Sequence, residues 1–270
     1  MLVGSGGLQF HHEERGQGRP LLALHGYGID HQSMLACLEP AFSHDAAWRR
    51  LYVDLPGMGH TPAPEWITTS DGMLAAVESM IDELIGDEPF ALVGNSYGAY
   101  LARALVSRAP HRVIGVLFVA PCIVPRAADR DCPPHHAVSS DTALLAQLTP
   151  QQRSDFTSFA VVQSQDVWRR YERDICAAET LADENLLQML QQTGYQLSFD
   201  VDDMAPYVGP GLFLTGRQDA FVGYRDAWAI LEKYPAATFT VLDRAGHLLP
   251  LEQPALFTRA VRDWLDRLAS

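Results

Sequence analysis

The stretch from Phe90 to Tyr100 constrains the fold of this chain more than any other. It begins as a continuous apolar run, passes through Gly-Asn-Ser-Tyr-Gly and continues into a helical pattern rich in Ala and Leu. This order predicts a buried strand, a sharp turn with Ser96 at its apex, and a helix. Gly94 and Gly98 lack a Cβ, so they tolerate a strained turn and close backbone neighbours. Such a turn presents the serine hydroxyl beside a helix N-terminus, where backbone N–H groups stabilise an anion. The alternative is a glycine-rich loop with an incidental serine.

Apolar runs that are typical of buried strands alternate with segments of helical spacing over most of the chain. Continuous apolar runs indicate parallel strands whose two faces are both covered by helices. The alternation therefore predicts an α/β fold with a largely parallel sheet and right-handed crossovers. The expected strands are Pro20–Leu24, Trp48–Leu55, the run from Phe90, Val113–Ala120, Gly211–Gly216 and Thr238–Leu242. Helices are expected at about 34–42, 73–85, 97–109, 227–234 and 256–268.

Between the fourth and fifth of these expected strands the composition of the sequence changes. Residues 121–134 are rich in Pro, Asp and Arg, and residues 144–195 suggest several helices without an intervening strand. Insertions of this kind usually form a lid over a site at the carboxyl ends of the strands. We therefore divide the chain into a first core part at 1–121, a helical cap at 122–207 and a second core part at 208–270.

Composition limits the classes of partner and compartment. The chain has 270 residues, is 47% hydrophobic and carries a formal net charge of −13. A negative field of this size repels polyanions, so we expect no nucleic-acid partner. No run of about 20 apolar residues predicts a membrane span. The four cysteines form no Cys-x-x-Cys pair and no secretory signal pattern opens the sequence, so free thiols and a cytoplasmic location are expected.

A base and an orienting acid for Ser96 are available downstream. A serine hydroxyl is a weak nucleophile until a neighbouring group takes its proton. Asp219 and His247 each follow a predicted strand, and the order Ser, Asp, His is the one that accompanies a strand–turn–helix nucleophile. We expect Ser96 to attack a carbonyl, His247 to accept and return the proton, and Asp219 to orient the imidazole. Asp243 lies too close to His247 in sequence to replace Asp219, and Asp226 falls inside a predicted helix.

The developing oxyanion requires hydrogen-bond donors. One candidate is the backbone N–H of Tyr97, directly after the nucleophile. The other is the backbone N–H of Tyr27, in the loop His25-Gly26-Tyr27-Gly28 that follows a predicted strand. Both donors belong to the main chain, so side-chain changes at these tyrosines should reshape the pocket and leave the donors in place.

Two pairs of adjacent histidines could suggest metal binding. Adjacent residues point apart on a strand or helix, however, and no carboxylate cluster accompanies them in sequence. We therefore interpret the pairs His11-His12 and His135-His136 as exposed polar surface, and His60 as a turn residue. No metal and no cofactor are expected.

Five motifs together resemble the α/β-hydrolase-fold enzymes of the single-domain, lid-bearing esterase type. The resemblance covers residues 20–268 and implies an eight-stranded, mostly parallel sheet with helices on both faces and an inserted helical cap after the sixth strand. It also implies that His25 supports the oxyanion loop through hydrogen bonds. The motifs are His25-Gly26-Tyr27-Gly28, Asp54-Leu55-Pro56-Gly57-Met58-Gly59-His60, Gly94-Asn95-Ser96-Tyr97-Gly98, Gly216-Arg217-Gln218-Asp219 with Val222-Gly223, and Gly246-His247.

The substrate pocket is the least constrained part of the site. Aromatic residues of the cap at helical spacing are ordinarily core, but one face of a lid must meet the active site. We expect some of them to line an apolar acyl or alcohol pocket. The candidate pocket residues are His25, Phe156, Phe159, Trp168 and Val222.

The expected activity is cofactor-free hydrolysis of a small carboxylic ester, a small-molecule substrate, through an acyl-enzyme intermediate. A carbon–carbon bond hydrolase of a ring-cleavage product is the alternative that Asn95 favours. Against it, Leu248 stands where such enzymes often place a tryptophan, and the stretch Gly28-Ile29-Asp30 lacks their Gly-Pro. A non-catalytic ligand-binding member of the fold is a further alternative. The sequence leaves the oligomeric state open.

Overall fold

The computed structural model describes residues 2–5, 8–42 and 47–269. Eight strands form one sheet, and two very short strands pair in the inserted segment. In chain order the strands are β1 Leu2–Ser5, β2 Leu8–Arg15, β3 Arg19–Leu24, β4 Trp48–Val53, β5 Phe90–Asn95, β6 Val113–Val119, β7 Ser139–Ser140, β8 Val162–Gln163, β9 Gly211–Gly216 and β10 Ala237–Leu242.

The large sheet has the strand order β1-β2-β4-β3-β5-β6-β9-β10. The pairs β1–β2 and β2–β4 are antiparallel, and every later neighbour pair is parallel. The predicted eight-stranded, mostly parallel sheet is therefore confirmed. Strands β3, β5 and β6 are buried over almost their whole length, as their continuous apolar runs indicated, because helices cover both faces.

Helices α1 and α11 pack together, as do α2 and α3, and all four contact strands of the large sheet. The side chains of Met73 and Met80 in α2 are buried in this core. Among the described residues, no helix has both the length and the apolar character that crossing a bilayer requires. The helices are α1 His31–Leu38, α2 Ser70–Leu84, α3 Tyr97–Arg108, α4 Thr142–Gln147, α5 Pro150–Phe159, α6 Gln165–Tyr171, α7 Ala177–Glu179, α8 Glu184–Met189, α9 Arg225–Ala229, α10 Leu249–Glu252 and α11 Pro254–Ala269.

The helix expected over 227–234 is shorter and starts earlier. Helix α9 ends at Ala229, where Ile230 leaves the helical conformation, and a 3₁₀ turn follows at Leu231–Lys233. Pro235 stands just beyond this turn, and a residue before a proline is disfavoured in the α conformation. The apolar spacing thus indicated the buried side of this segment correctly, but the backbone changes from an α-helix to a 3₁₀ turn within it.

The segment between β6 and β9 contains helices α4 to α8, and it differs from the prediction in one respect. Strand β8 lies between α5 and α6 and pairs in parallel with β7, so the expectation that no strand interrupts the helices is wrong. Two π-helical turns, Glu172–Cys176 and Leu190–Gly194, also belong to this segment. We keep the name cap for residues 122–207 below.

Candidate active site

Ser96 stands in the strained turn between β5 and α3. Its backbone has φ 51° and ψ −111°, a conformation that costs a non-glycine residue about 1–3 kcal/mol. The two flanking glycines are required by close contacts. A Cβ on Gly94 would lie 2.6 Å from the Cα of Ala99, and a Cβ on Gly98 would lie 2.4 Å from the carbonyl oxygen of His25. The motif Gly-x-Ser-x-Gly is therefore a steric requirement of this turn.

The structure brings the three residues predicted as a triad into hydrogen-bonding contact. The Nε2 of His247 lies 3.0 Å from the Oγ of Ser96, and its Nδ1 lies 2.9 Å from the Oδ2 of Asp219. The Asp219 carboxylate is fully buried, whereas the His247 side chain is 16% exposed. A carboxylate in this position favours the tautomer of the imidazole that carries its proton on Nδ1 and leaves Nε2 free to accept one.

The second oxygen of the Asp219 carboxylate is held by the backbone. Its Oδ1 accepts hydrogen bonds from the N–H groups of Phe221 at 2.8 Å and Val222 at 3.1 Å. Neither rival aspartate contacts His247. Asp243 accepts a bond from the side-chain amide of Gln218, and Asp226 accepts one from a backbone N–H on another loop.

A buried glutamate that we did not predict holds the loop of His247. The Oε2 of Glu252 accepts the N–H of Gly246 at 2.6 Å, and its Oε1 accepts the N–H groups of Val161 at 2.7 Å and Val162 at 3.1 Å. One carboxylate thus joins the base's loop to strand β8 of the cap. Burial raises the pKa of Glu252, and the three backbone donors oppose that shift. Glu252 lies five residues after His247, and none of the sequence patterns that we applied identifies it.

The two loops proposed for the oxyanion site meet beside Ser96. A Cβ placed on Gly26 would lie 3.5 Å from the Cβ of Ser96, so the backbone of the first loop passes next to the nucleophile. The rings of Tyr27 and Tyr97 meet edge to face with their centroids 5.7 Å apart. The N–H groups of Tyr27 and Tyr97 therefore belong to segments that border Ser96, and their role as donors remains a prediction.

His25 supports this loop from behind. Its Nε2 accepts the N–H of Leu55 at 2.9 Å, and its Nδ1 lies 2.7 Å from the carbonyl oxygen of Gly26. These two contacts assign the proton to Nδ1 and keep the ring neutral. Complete burial lowers the pKa of His25 to about 4, in agreement with a neutral imidazole. His25 does not line the cavity over Ser96, so our inclusion of it among the pocket residues is wrong.

The tyrosine side chains of the two loops connect the core to the cap. The hydroxyl of Tyr27 donates to the carbonyl oxygen of Leu187 in the cap. The hydroxyls of Tyr97 and Ser70 lie 2.8 Å apart, and Ser70 also donates to the carbonyl oxygen of Tyr195. Burial raises the pKa of Tyr27 to about 12, so the phenol is neutral and acts as a hydrogen-bond donor.

A second polar cluster lies under the oxyanion loop and corrects our interpretation of His11. The Nδ1 of His11 lies 3.1 Å from Oδ2 of Asp54, and the Nδ1 of His31 lies 2.7 Å from Oδ1. His12 is buried and His11 is partly buried, so the first histidine pair is not exposed surface, whereas His135 and the residue after it are exposed. The sequence did not show that a carboxylate lies beside these histidines, because the three residues come from β2, α1 and the loop after β4.

The ligand atoms of His11, His31 and Asp54 lie within 4.8 Å of one another, a spacing that could hold a metal ion. Hydrogen bonding already accounts for the cluster. Asp54 also accepts the backbone N–H groups of His31 and His60. Burial would raise the pKa of Asp54, but the hydrogen bonds from His31 and from the backbone of His60, with the charge of nearby histidines, outweigh burial and lower that pKa. The ionised carboxylate thereby anchors the start of α1, directly after the oxyanion loop.

A cavity of about 720 Å³ lies between the core and the cap, and Ser96 and His247 open into it. Phe159 and Val222 line it, as we expected. Phe159 stacks on Phe221 with centroids 4.4 Å apart and an interplanar angle of 3°, and Phe221 lies 5.5 Å from the His247 ring. These aromatic rings form an apolar wall beside the proposed base.

Phe156 and Trp168 do not line this cavity, so that part of the pocket prediction is wrong. Both are buried, with their ring centroids 5.2 Å apart, in an apolar cluster that also includes Leu248 and Leu251. Helical spacing showed that the cap aromatics share faces, but it did not show which face looks inward. The π-helical turn at 190–194 instead brings polar side chains, among them Gln191 and Thr193, to the cavity.

Comparison with known proteins agrees with this architecture. The model of the alpha/beta hydrolase family matches residues 21–260. A pimeloyl-[acyl-carrier protein] methyl ester esterase of Aeromonas salmonicida is 27% identical over 93% of this chain and 96% of its own length. A biotin biosynthesis bifunctional protein BioHC of Cellvibrio japonicus is 29% identical over 93% of this chain, which spans only 49% of that longer protein.

Among solved structures, an alpha/beta superfamily hydrolase from Oenococcus oeni has a TM-score of 0.90 and 27% identity, with all of both chains covered. The family match extends over far more than half of the sequence and includes every loop that surrounds Ser96. This chain belongs to the alpha/beta hydrolase family and is a serine hydrolase of its carboxylesterase-like type.

Proposed function

We propose that the protein hydrolyses small carboxylic esters through an acyl-enzyme intermediate on Ser96. The observation that carries this proposal is the continuous hydrogen-bonded series from the Ser96 hydroxyl through both nitrogens of His247 to the buried Asp219 carboxylate. A serine hydroxyl placed in this way can lose its proton to the imidazole as it forms a bond to a carbonyl carbon.

Each half of the reaction uses the same groups. In the first, Ser96 Oγ attacks the ester carbonyl while His247 Nε2 takes the hydroxyl proton. The N–H groups of Tyr27 and Tyr97 stabilise the oxyanion, and the imidazolium then returns the proton to the departing alcohol. In the second half, His247 takes a proton from water, hydroxide attacks the acyl group, and Ser96 leaves with that proton. One missing oxyanion donor typically costs about 3–4 kcal/mol of transition-state stabilisation.

The acyl and alcohol groups must fit the cavity between core and cap. Its volume of about 720 Å³ is within the range of small-molecule sites. The relative from Aeromonas salmonicida is named as a methyl ester esterase, and we extend to this chain the proposal that the alcohol is small. The stacked Phe159 and Phe221 offer apolar surface for the alkyl part of the substrate.

The experiment that tests the proposal measures initial rates on p-nitrophenyl esters from acetate to laurate. Wild type should turn over the short esters, and Ser96→Ala should retain its folded structure but lose all but about 10⁻³ or less of kcat, since the nucleophile is removed. Ser154→Ala is the matched control, because Ser154 is an exposed residue of α5, and its rates should equal those of wild type.

Two results would contradict the proposal. Retention of more than a few per cent of kcat by Ser96→Ala would place the nucleophile elsewhere. Silence of the folded wild-type protein on the whole series would exclude simple ester hydrolysis, and carbon–carbon ring-cleavage substrates would then be tested next.

A further inference from the structure

Two guanidinium groups border the cavity above Ser96, and the proposed chemistry uses neither. Arg126 and Arg130 both come from the segment that follows β6. Among the residues that line the cavity, Glu179 supplies the single carboxylate. The chain as a whole carries a net charge of −13, and a field of that sign disfavours the approach of anions. An excess of positive side chains in the cavity is therefore a local feature and does not follow from the composition.

Arg130 is held in place by neutral groups. Its Nε donates to the carbonyl oxygen of Val124 at 2.8 Å, its Nη1 to that of Phe221 at 3.0 Å, and its Nη2 to that of Pro125 at 2.8 Å and to the Sγ of Cys122 at 3.4 Å. A guanidinium has five N–H donors, so one donor on Nη1 has no partner in these contacts. Within the described ranges, no carboxylate forms an ion pair with Arg130, and its charge remains uncompensated by direct contact.

The position of Arg130 relates it to both reacting residues. The carbonyl it binds belongs to Phe221, whose ring lies 5.5 Å from the imidazole of His247. The sulfur it binds belongs to Cys122, whose backbone N–H donates to the carbonyl oxygen of Ser96 at 3.2 Å. One residue, Phe221, thus connects the guanidinium to the base, and one residue, Cys122, connects it to the nucleophile.

Arg126 differs from Arg130 in its freedom to move. Its side chain is 76% exposed, and its contact with Asp129 at 3.7 Å is an exposed ion pair that contributes little to stability. It can therefore turn toward a bound molecule at small cost. Burial and the nearby charge of Asp155 raise the pKa of Glu179. Among the described residues it forms no ion pair with either arginine.

We propose that Arg130 and Arg126 recognise a carboxylate on the substrate, so that the preferred ester carries a second, free carboxyl group, as a half-ester of a dicarboxylic acid does. The inference rests on the proposed ester hydrolysis and names its substrate class. Arg130 can give a carboxylate one charge-assisted hydrogen bond from its remaining Nη1 donor, and the planar donors of Arg126 can match the carboxylate in geometry as well as in charge. Arg130, held by neutral groups, and the exposed Arg126 line the same cavity as Ser96, so both can contact a substrate bound there.

The test compares matched anionic and neutral esters. On the acyl side, mono-p-nitrophenyl glutarate is compared with p-nitrophenyl valerate. On the alcohol side, 3-acetoxypropionate is compared with butyl acetate in a pH-stat. The quantity measured is the ratio of kcat/KM for the anionic ester to kcat/KM for the neutral one. In wild type we expect a ratio of about ten or more in one of the two arms, decreasing as NaCl screens the charges.

Variants assign the preference to the two arginines. Arg126→Gln should lower the ratio about threefold, and Arg130→Gln about tenfold, with partial recovery in Arg130→Lys. Arg153→Gln is the control, because Arg153 is an exposed residue of the cap outside the cavity lining, and its ratio should match wild type. Arg130→Gln can slow both esters, since Arg130 also holds the Phe221 carbonyl, but the ratio within one variant cancels that loss.

Binding of glutarate, measured by calorimetry on wild type and on the same variants, gives a readout that needs no turnover. We expect glutarate to bind more tightly than butyrate and than inorganic phosphate, and binding to weaken in both cavity variants. A wild-type ratio of one or less in both arms, an unchanged ratio in both cavity variants, or tighter binding of phosphate would overturn the proposal. Failure of every ester to react, with glutarate still bound through the arginines, would contradict the proposed hydrolysis and leave anion recognition supported.

Discussion

The substitution Asp219→Asn tests the catalytic geometry most sharply, because the backbone determines how the new amide must lie. Oδ1 of Asp219 accepts two backbone N–H groups, from Phe221 and Val222. The carbonyl oxygen of the substituted amide has to keep these bonds, since an NH₂ group there would face two donors. The NH₂ group is consequently directed at Nδ1 of His247, the position that the Oδ2 atom occupies at 2.9 Å.

This orientation reverses the tautomer of the imidazole. A donating NH₂ group requires Nδ1 of His247 to accept, so the ring proton moves to Nε2 and faces the Ser96 hydroxyl. The base is then unable to take the serine proton. In a serine protease the corresponding change lowers kcat about 10⁴-fold, which at 1.36 kcal/mol per tenfold corresponds to about 5.4 kcal/mol in the activation free energy. We expect a loss of that order here.

The assay measures kcat on a short p-nitrophenyl ester together with the free energy of unfolding. Because both backbone bonds to the side chain persist, the variant should lose less than about 1 kcal/mol of stability. Asp243→Asn is the matched control, since Asp243 is an aspartate near the same loops whose side chain contacts Gln218 instead of the imidazole, and it should stay within twofold of wild type. A loss below tenfold in Asp219→Asn, or an equal loss in Asp243→Asn, would show that Asp219 does not set the tautomer of His247.

Two further predictions concern stability. The fully buried Arg103 forms an ion pair in which its Nη2 donates to both carboxylate oxygens of Asp202, at 2.6 and 2.5 Å. Asp202→Ala leaves that cation without its carboxylate and should cost about 3–5 kcal/mol in chemical denaturation, more than Arg103→Met; equal small losses would contradict this. His25 has its pKa lowered by burial to about 4, against about 6.5 in an unfolded chain. Because the unfolded state binds the proton first, stability is full above pH 6.5 and falls by up to about 3 kcal/mol between pH 6.5 and 4. Urea unfolding at pH 7.5 and 4.5 should show this difference, and it should shrink in His25→Gln; an identical difference in both proteins would exclude His25 as its source.

The sheet and its covering helices could be predicted from local patterns, because the alternation of apolar runs and helical spacing reflects burial on two faces. Boundaries were less accurate where the backbone changes type, as at Ile230, since side-chain periodicity does not distinguish an α-helix from a 3₁₀ turn. Strand β8 was missed because a pair of two-residue strands carries no periodicity at all.

Part of the proposed site could be predicted from the sequence, because its reacting residues follow the ends of strands. Ser96, Asp219 and His247 each follow a strand of one parallel sheet, and the carboxyl ends of such strands lie at one edge. The groups that support them carried no such signal. Glu252 contacts residues 90 positions away, and Asp54 gathers histidines from two other elements. Only the folded chain shows that these carboxylates accept backbone and imidazole donors.

The layered α/β architecture, the strained turn at Ser96 and the order of the three proposed catalytic residues follow from the sequence alone, because each depends on local composition or on the ends of strands. Packing between distant segments sets which cap side chains face the cavity: Phe159 lines it while Phe156 is buried elsewhere, and Arg130 lines it with no carboxylate partner among the described residues. Helical spacing records which residues share a face. The neighbour that covers that face is set by packing between segments that are distant in the chain.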